Sequence, residues 1–300
     1  MSSKEPNIRE ITVISGKGGT GKTSVAASFA LLADHPVIAD CDVDAADLHL
    51  VLSPDILERH EFRAGYEARI RESKCNACGM CRDYCRYDAI EVTRAFAEEP
   101  VFQIDPLLCE GCGICVHVCP RGAIDFEERL CGEWMVSKTR CGPMVHAKLG
   151  VSGENSGKLV SIVRREAHRI AEADHRSTVI VDGPPGIGCP VIASITGASM
   201  VLVVTEPTLS GEHDLERVIA LSRHFHIPTA VCVNKWDVNL EMTEQIENLA
   251  MKSGARVVGR IRYDQSVTTA QLQERTVVET EAPAAEDIRR IWNNLNQDRQ

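Results

Sequence analysis

No stretch of this 300-residue sequence approaches the ~18 to 20 uncharged apolar residues of a membrane span. The first ten residues, MSSKEPNIRE, are polar and charged and cannot form the hydrophobic core of a secretory signal. Positive charge is also scarce. Against 43 Asp and Glu stand 33 Lys and Arg, and the net charge of -10 argues against a generic binder of phosphate backbones. With 44% hydrophobic and 25% charged residues the composition is that of a globular protein, which excludes disorder and collagen-like repeats. The expectation is a cytoplasmic chain of one large domain or two modest ones, with no nucleic-acid partner and no membrane attachment.

Cysteine is what the sequence has in excess. There are 13, an odd count, and eight fall in two CxxC-type blocks, a spacing that in a reducing compartment reads as metal ligation and not as a disulfide framework. Around them the chain alternates. Strand-like runs cover 11–14, 36–39, 178–181, 200–205, 229–233 and 256–259. Helical stretches cover 24–33, 158–173, 191–196, 212–225, 241–252, 267–274 and 287–295. Such alternation predicts an α/β domain with a mostly parallel sheet covered on both faces. The simplest parse is one discontinuous domain, 1–64 and 129–300, interrupted by a cysteine-rich insert at 65–128, with a connector leading out of the insert. The insert has seven Lys or Arg against twelve Asp or Glu, an acidic face suited to a basic redox partner or simply to solubility.

Gly16-Lys-Gly-Gly-Thr-Gly-Lys22-Thr23 fits G-x-x-x-x-G-K-[ST] and lies between a strand-like and a helical run. The glycines let backbone N–H groups close around phosphates, and the following helix offers its positive end. Lys22 is spaced to reach the β- and γ-phosphates and Thr23 to ligate Mg²⁺. Gly16, Lys17, Gly18, Gly19, Thr20, Gly21, Lys22, Thr23 and Ser24 are therefore the candidate ATP-binding residues.

A second lysine directly after the first glycine is not needed to cradle phosphate within one chain. Lys17-Gly-Gly-Thr-Gly-Lys22-Thr resembles the deviant Walker A motif of the MinD/ParA/nitrogenase-iron-protein class of ATPases. The resemblance implies that Lys17 reaches across an ATP-bound homodimer to the partner's phosphates, and that Lys17, Lys22 and Asp42 are catalytic. Asp40-Cys-Asp42 stands where that class carries an acidic pair, which implies Asp42 at the attacking water and Asp40 in the outer Mg²⁺ shell. Val179-Ile-Val-Asp182-Gly-Pro-Pro-Gly186 resembles its Walker B strand and second switch, with Asp182 on Mg²⁺ through water, Gly183 in the switch and Gly186 near the γ-phosphate. Asn234-Lys235 resembles its adenine-side contact. Asp44 reads instead as a helix N-cap.

Cys75-x2-Cys78-x2-Cys81-x3-Cys85 and Cys109-x2-Cys112-x2-Cys115-x3-Cys119-Pro120 repeat one pattern 34 residues apart. Close CxxCxxC spacing wraps three soft thiolates around one cubane, and the fourth cysteine of each run serves the other cluster in two-cluster ferredoxins. The expected ligand sets are Cys75, Cys78, Cys81 and Cys119 for one [4Fe–4S] cluster, and Cys109, Cys112, Cys115 and Cys85 for the other. Zinc suits isolated CxxC pairs but not two four-cysteine runs. Arg86 departs from the pattern, standing where proline is expected.

Of the remaining cysteines, Cys41, Cys131, Cys141 and Cys232 read as packed thiols. Cys189 should open a helix, where the helix dipole lowers a thiol's pKa, and in the related nitrogenase iron protein a cluster ligand lies near this switch. Cys189 is accordingly a redox or ligand candidate. Ile288, Ile291, Trp292 and Leu295 form a helical stripe whose polar face is not lysine-rich, so packing onto the body is expected rather than membrane docking.

The whole order closely resembles the MinD-superfamily ATPases that contain an inserted bacterial-ferredoxin-like α+β domain, and is similar to the ATPase components of the orange-protein complex. Arg262 departs from it where relatives often have proline. The resemblance implies ATP/ADP, Mg²⁺ and two [4Fe–4S] clusters as cofactors. It also implies ATP hydrolysis in a nucleotide-dependent homodimer that serves electron transfer or metallocluster assembly on a redox or metallocluster client. An iron–sulfur carrier or scaffold, and a MinD-like positioning ATPase with redox-sensing clusters, are the alternatives.

Overall fold

The computed structural model describes residues 8–93, 100–150 and 155–297. They form two compact units. The first takes the chain up to His60, Glu133–Lys148 and the chain from Ser156 onward; the second takes Glu61–Gly132 and the short return beginning at Leu149.

The first unit opens with β1 (Arg9–Ser15), α1 (Lys22–Leu32), β2 (Val37–Asp40) and α2 (Leu48–Leu52). Next comes β3 (Asp55–Ile70), which runs on into the second unit. That unit holds α3 (Met80–Asp83), β4 (Ile90–Val92), β5 (Phe102–Ile104) and α4 (Ile114–Val118). The chain returns along β6 (Ile124–Lys138) and β7 (Pro143–Leu149). It then alternates through α5 (Ser156–Ala173), β8 (Thr178–Pro185), α6 (Cys189–Ile195), β9 (Met200–Thr205) and α7 (Leu209–His224). The last elements are β10 (Thr229–Asn234), α8 (Leu240–Lys252), β11 (Arg256–Ile261), α9 (Gln265–Leu272) and α10 (Pro283–Asn296).

The sheet order is β11-β10-β9-β1-β8-β2-β7-β6-β3, with β3 and β6 belonging to the first unit only through residues 55–60 and 133–138. Pairs from β11 to β7 are parallel. Strands β8, β9 and β10 are largely apolar because helices cover both their faces, while β1 alternates buried Ile11 and Val13 with buried Glu10 and Thr12. The α/β, mostly parallel sheet expected from the alternation is present. No helix among the described residues is long and apolar enough to cross a membrane.

The connector expected after the insert is instead occupied by β6, which already begins within the insert at Ile124, and by β7. In β3 only Phe62, Ala64 and Ala68 are buried, so small and charged residues dilute the strand signal. Asp44 is an exposed turn residue and not an N-cap; Asp47 precedes α2, and its side chain makes no capping bond.

Packing of α10 follows its stripe. Ile288, Ile291 and Leu295 are buried in one core with Phe29, and the Trp292 ring lies 4.9 Å from that of Phe29. In the second unit β4 pairs antiparallel with β5, and Ala68, Ile90, Phe102 and Ile124 make a small core among the cysteines.

Leu295 is fully buried, so Leu295→Ala should cost about 2–5 kcal/mol in urea unfolding with little change in slope. His146 on β7 shares a 2.7 Å hydrogen bond with Ser137, and burial holds its pKa down, to about 4 from 6.5. The unfolded chain therefore binds a proton that the folded chain refuses between these values. Stability should fall as pH drops from 6.5 towards 4, and His146→Gln should flatten that fall in denaturation midpoints measured across the window.

Candidate functional site

The first unit gathers its polar residues at the carboxyl ends of β1, β2, β8, β9 and β10, where ligands bind in open parallel sheets. The glycine loop joins β1 to α1. Gly19 and Gly21 hold φ of 80° and 89°, a region that favours glycine. A Cβ on Gly21 would stand 2.4 Å from Asn234 Nδ2, which itself donates to the Thr20 carbonyl at 2.8 Å. Asn234 thus fastens the loop to the end of β10. Gly16 is pressed just as closely by α7, since its Cβ would lie 2.2 Å from Asp214 Cβ. Gly186 donates its N–H to the Ser15 carbonyl at 2.8 Å, and Gly183 packs on Ile14 with no room for a Cβ.

Lys22 is buried at the start of α1. Its Nζ donates to Asp182 Oδ1 at 2.8 Å and lies 3.2 Å from Asp42 Oδ2 and 3.3 Å from Thr23 Oγ1. Asp40 pairs in register with Asp182 on the neighbouring strand and accepts the Asp42 N–H at 3.2 Å. Burial opposes the charge of Lys22, but Asp182 and Asp42 outweigh it and raise its pKa. Burial and the Asp182 charge push Asp40 well above the ordinary carboxylate range, and burial raises Asp42. One ammonium is shared among three acids. Asp40 Oδ2, Asp182 Oδ2 and Thr20 Oγ1 are buried with no hydrogen-bond partner. These orphaned oxygens fit a hydrated Mg²⁺, which commonly takes one or two carboxylates together with phosphate oxygens.

A cleft of about 590 Å³ runs outward from the loop. Gly18, Lys22, Thr23, Ser24, Asp42, Asn234 and Lys235 line it on the loop side, and Tyr263 and Gln271 on the other. That volume suits a nucleotide-sized ligand. Tyr263 and Gln271 were not singled out by sequence, because no spacing rule marks them; α9 brings Gln271 to donate to Ser24 Oγ at 2.9 Å. Arg262 lines the same cleft but is committed to Asp287 through bonds of 2.7 and 2.9 Å. Lys17 is held within its own chain, 3.1 Å from Ser210 Oγ, 3.4 Å from Thr208 Oγ1 and 3.8 Å from Glu206 Oε2. Glu206, within the Thr205-Glu-Pro-Thr208 segment that is part of the family-like order, also takes Lys235 at 2.8 Å.

The profile of the CobQ/CobB/MinD/ParA nucleotide binding domain matches residues 11–277. The chain belongs to that family. It is 34% identical over 237 residues to the uncharacterized protein MJ0578 of Methanocaldococcus jannaschii, covering 77% of this chain and 80% of that protein. Among solved structures it is similar to MinD of Pyrococcus horikoshii complexed with Mg-ADP, at a TM-score of 0.59 and 15% identity, covering 97% of this chain and 96% of that one. It is also similar to an ATP complex of McdA from Cyanothece, at a TM-score of 0.56 and 14% identity, covering 97% of each. These structural likenesses support a MinD-like fold for the family member.

In the second unit two cavities divide the eight cysteines. Cys75, Cys78, Cys81 and Cys119 line one; Cys85, Cys109, Cys112 and Cys115 line the other. The fourth cysteine of each run thus joins the other run's triplet. All eight thiols are free. Burial and the neighbouring Cys109 push Cys115 up to about 11, and burial raises Cys81. Among the described residues no group of three or more His, Cys, Asp or Glu could hold a metal ion. A cubane binds each thiolate at a separate iron, which places the sulfurs farther apart than ligands of one ion. Two separate, mostly apolar cavities, each lined by four free thiols, offer the donor set that such a cluster would need.

Cys41 and Cys232 are fully buried, and burial raises both, Cys232 to about 12. Cys131 donates to the Ala64 carbonyl at 3.2 Å, and Cys141 is hydrogen-bonded with Thr139. Cys189 is exposed at the first position of α6, next to Gly157 of α5, and lines neither of the two cysteine cavities.

Gly21→Ala combines a strained φ with a clash on Asn234. It should lower the unfolding midpoint and weaken MgATP binding by about tenfold or more in calorimetry, whereas Gly18→Ala, with open space at its Cβ, should leave the midpoint in place.

Proposed function

We propose that the chain binds and hydrolyses ATP in a nucleotide-dependent homodimer and carries two [4Fe–4S] clusters, using the nucleotide cycle for electron transfer or metallocluster assembly on a client protein. The observation that carries this reading is the crossed grouping of eight free thiols into two quartets, on a chain whose Lys22 and acids sit beneath a glycine loop.

In the nucleotide site, Lys22 exchanges its bonds to Asp182 and Asp42 for the β- and γ-phosphates. Asp182 and Asp40, with the Thr23 hydroxyl, would hold a hydrated Mg²⁺, which would supply positive charge at the phosphates. Asp42, freed of Lys22, orients water in line with the γ-phosphorus, and the products are ADP and phosphate. Lys17 leaves Ser210 and Thr208 and supplies a second positive charge to the partner's phosphates. Asn234 and Lys235 hold the base-side end of the nucleotide. When bound, the clusters supply one-electron chemistry. The chain's contribution is to present four thiolates per cavity and to limit water around them. Gly183 keeps the strand end close against β1, and Gly186, at a φ of 92° with open space around it, lets the chain turn towards the γ-phosphate.

A carrier whose clusters are cargo is less well supported, because four-thiolate ligation from the chain itself opposes release. Membrane positioning by the terminal helix is also disfavoured, since the apolar face of α10 is buried in the core.

Lys17→Gln should abolish MgATP-driven dimers in light scattering while leaving about eight irons per chain after anaerobic reconstitution. Dimers that survive this change would contradict a trans role for Lys17.

A further inference from the structure

The two cysteine runs are copies of one pattern, so their cavities can be compared position by position. Cys75-Asn76-Ala77-Cys78 corresponds to Cys109-Glu110-Gly111-Cys112, and Cys119-Pro120-Arg121 corresponds to Cys85-Arg86-Tyr87. Asn76 and Arg121 line the first cavity, where Glu110 and Tyr87 line the second. At two corresponding positions the first cavity has an amide and a guanidinium, and the second a carboxylate and a phenol.

Backbone donors follow the same bias. The Ala77 N–H donates to Cys75 Sγ at 3.4 Å, and the Ala123 N–H to Cys119 Sγ at 3.3 Å. Both sulfurs belong to the first cavity. The Val116 N–H serves Cys115 in the second cavity as the Arg82 N–H serves Cys81 in the first, so the Ala77 and Ala123 bonds are additional to a shared pattern. Ala77 is held at a φ of 53°, an unusual conformation for alanine.

A cation beside a cluster and N–H donors on its thiolates both stabilise the added negative charge of reduction, and a carboxylate opposes it. Arg86 is an opposing charge, next to Cys85 in sequence. Like Arg121 and Glu110 it is exposed, but unlike them it lies outside the lining of either cavity. We propose that the cavity lined by Cys75, Cys78, Cys81, Cys119 and Arg121 holds the more oxidising of two clusters. The first electron taken up then rests there, and the cavity of Glu110 holds the stronger reductant. This rests on the iron–sulfur reading above. The step is a one-electron reduction of a cluster core from 2+ to 1+, the electron coming from dithionite in the test, with no bond made or broken.

The test is an anaerobic, EPR-monitored dithionite titration of the reconstituted full chain, preceded by iron analysis. About eight irons and two one-electron waves are expected. Arg121→Gln should lower the upper wave, changing the oxidised-to-reduced ratio at fixed potential by ~3-fold or more, and leave the lower wave in place. Arg121→Lys, which keeps the charge, should retain the upper wave. Glu110→Gln should raise the lower wave alone. Variants that move both waves equally, an Arg121→Gln effect on the lower wave, or a larger shift from Arg86→Gln than from Glu110→Gln overturns the assignment. A chain without iron overturns the iron–sulfur reading and this inference together; full iron with unmoved waves overturns the inference alone.

Discussion

One buried ammonium organises the nucleotide-binding half of this molecule. Lys22 stands between Asp182 and Asp42, with Asp40 behind them, where three carboxylates on adjoining strand ends would otherwise repel one another. Three acids and one lysine make an arrangement that is short of positive charge. That deficit, visible in the raised Asp40 and in the unpartnered oxygens of Asp40 and Asp182, is what a divalent cation entering with phosphate would relieve. Binding therefore replaces an internal ion pair and does not fill a neutral pocket.

The fold serves that arrangement. Parallel strands end on one edge, so β1 delivers the glycine loop, β2 and β8 deliver the acids, and β10 delivers the asparagine that ties the loop down. Close approach by Asp214 and Asn234 leaves no space for side chains at Gly16 and Gly21. Strand β9 leads to Glu206, which stands between Lys17 and Lys235 and keeps both cations near the site before phosphate arrives. The β3 and β6 strands contribute residues to both units, so the cysteine-bearing segment is an excursion from the sheet's own strands and not an appended tail.

Much of this was legible in the sequence because short-range chemistry dictates it. A loop that wraps phosphate must be glycine-rich, and a strand buried on both faces is mostly apolar, so β1, β2, β8, β9, β10 and β11 and the glycine loop with Lys22 could be read directly, while Asp40 and Asp182 were marked by the family resemblance. The three strands around the insert could not. Phe62, Ala64 and Ala68 alternate in β3, but charged residues between them and an exposed first half leave little apolar signal. The anchoring of Lys17 was also illegible, since it depends on where α7 begins in space relative to the loop. Arg262 stood out in the sequence only as a departure from the family pattern; its pairing with Asp287 makes it a link between the cleft wall and α10.

The central claim is that nucleotide state and the cysteine-lined cavities act on one another within a single chain. The most direct measurement is the midpoint of each cluster wave in the reconstituted protein, first with MgADP and then with a non-hydrolysable MgATP analogue. The account predicts a displacement of ~59 mV or more in at least one wave, equal to ~1.4 kcal/mol of coupling for one electron. Superimposable titrations in the two nucleotide states would contradict it.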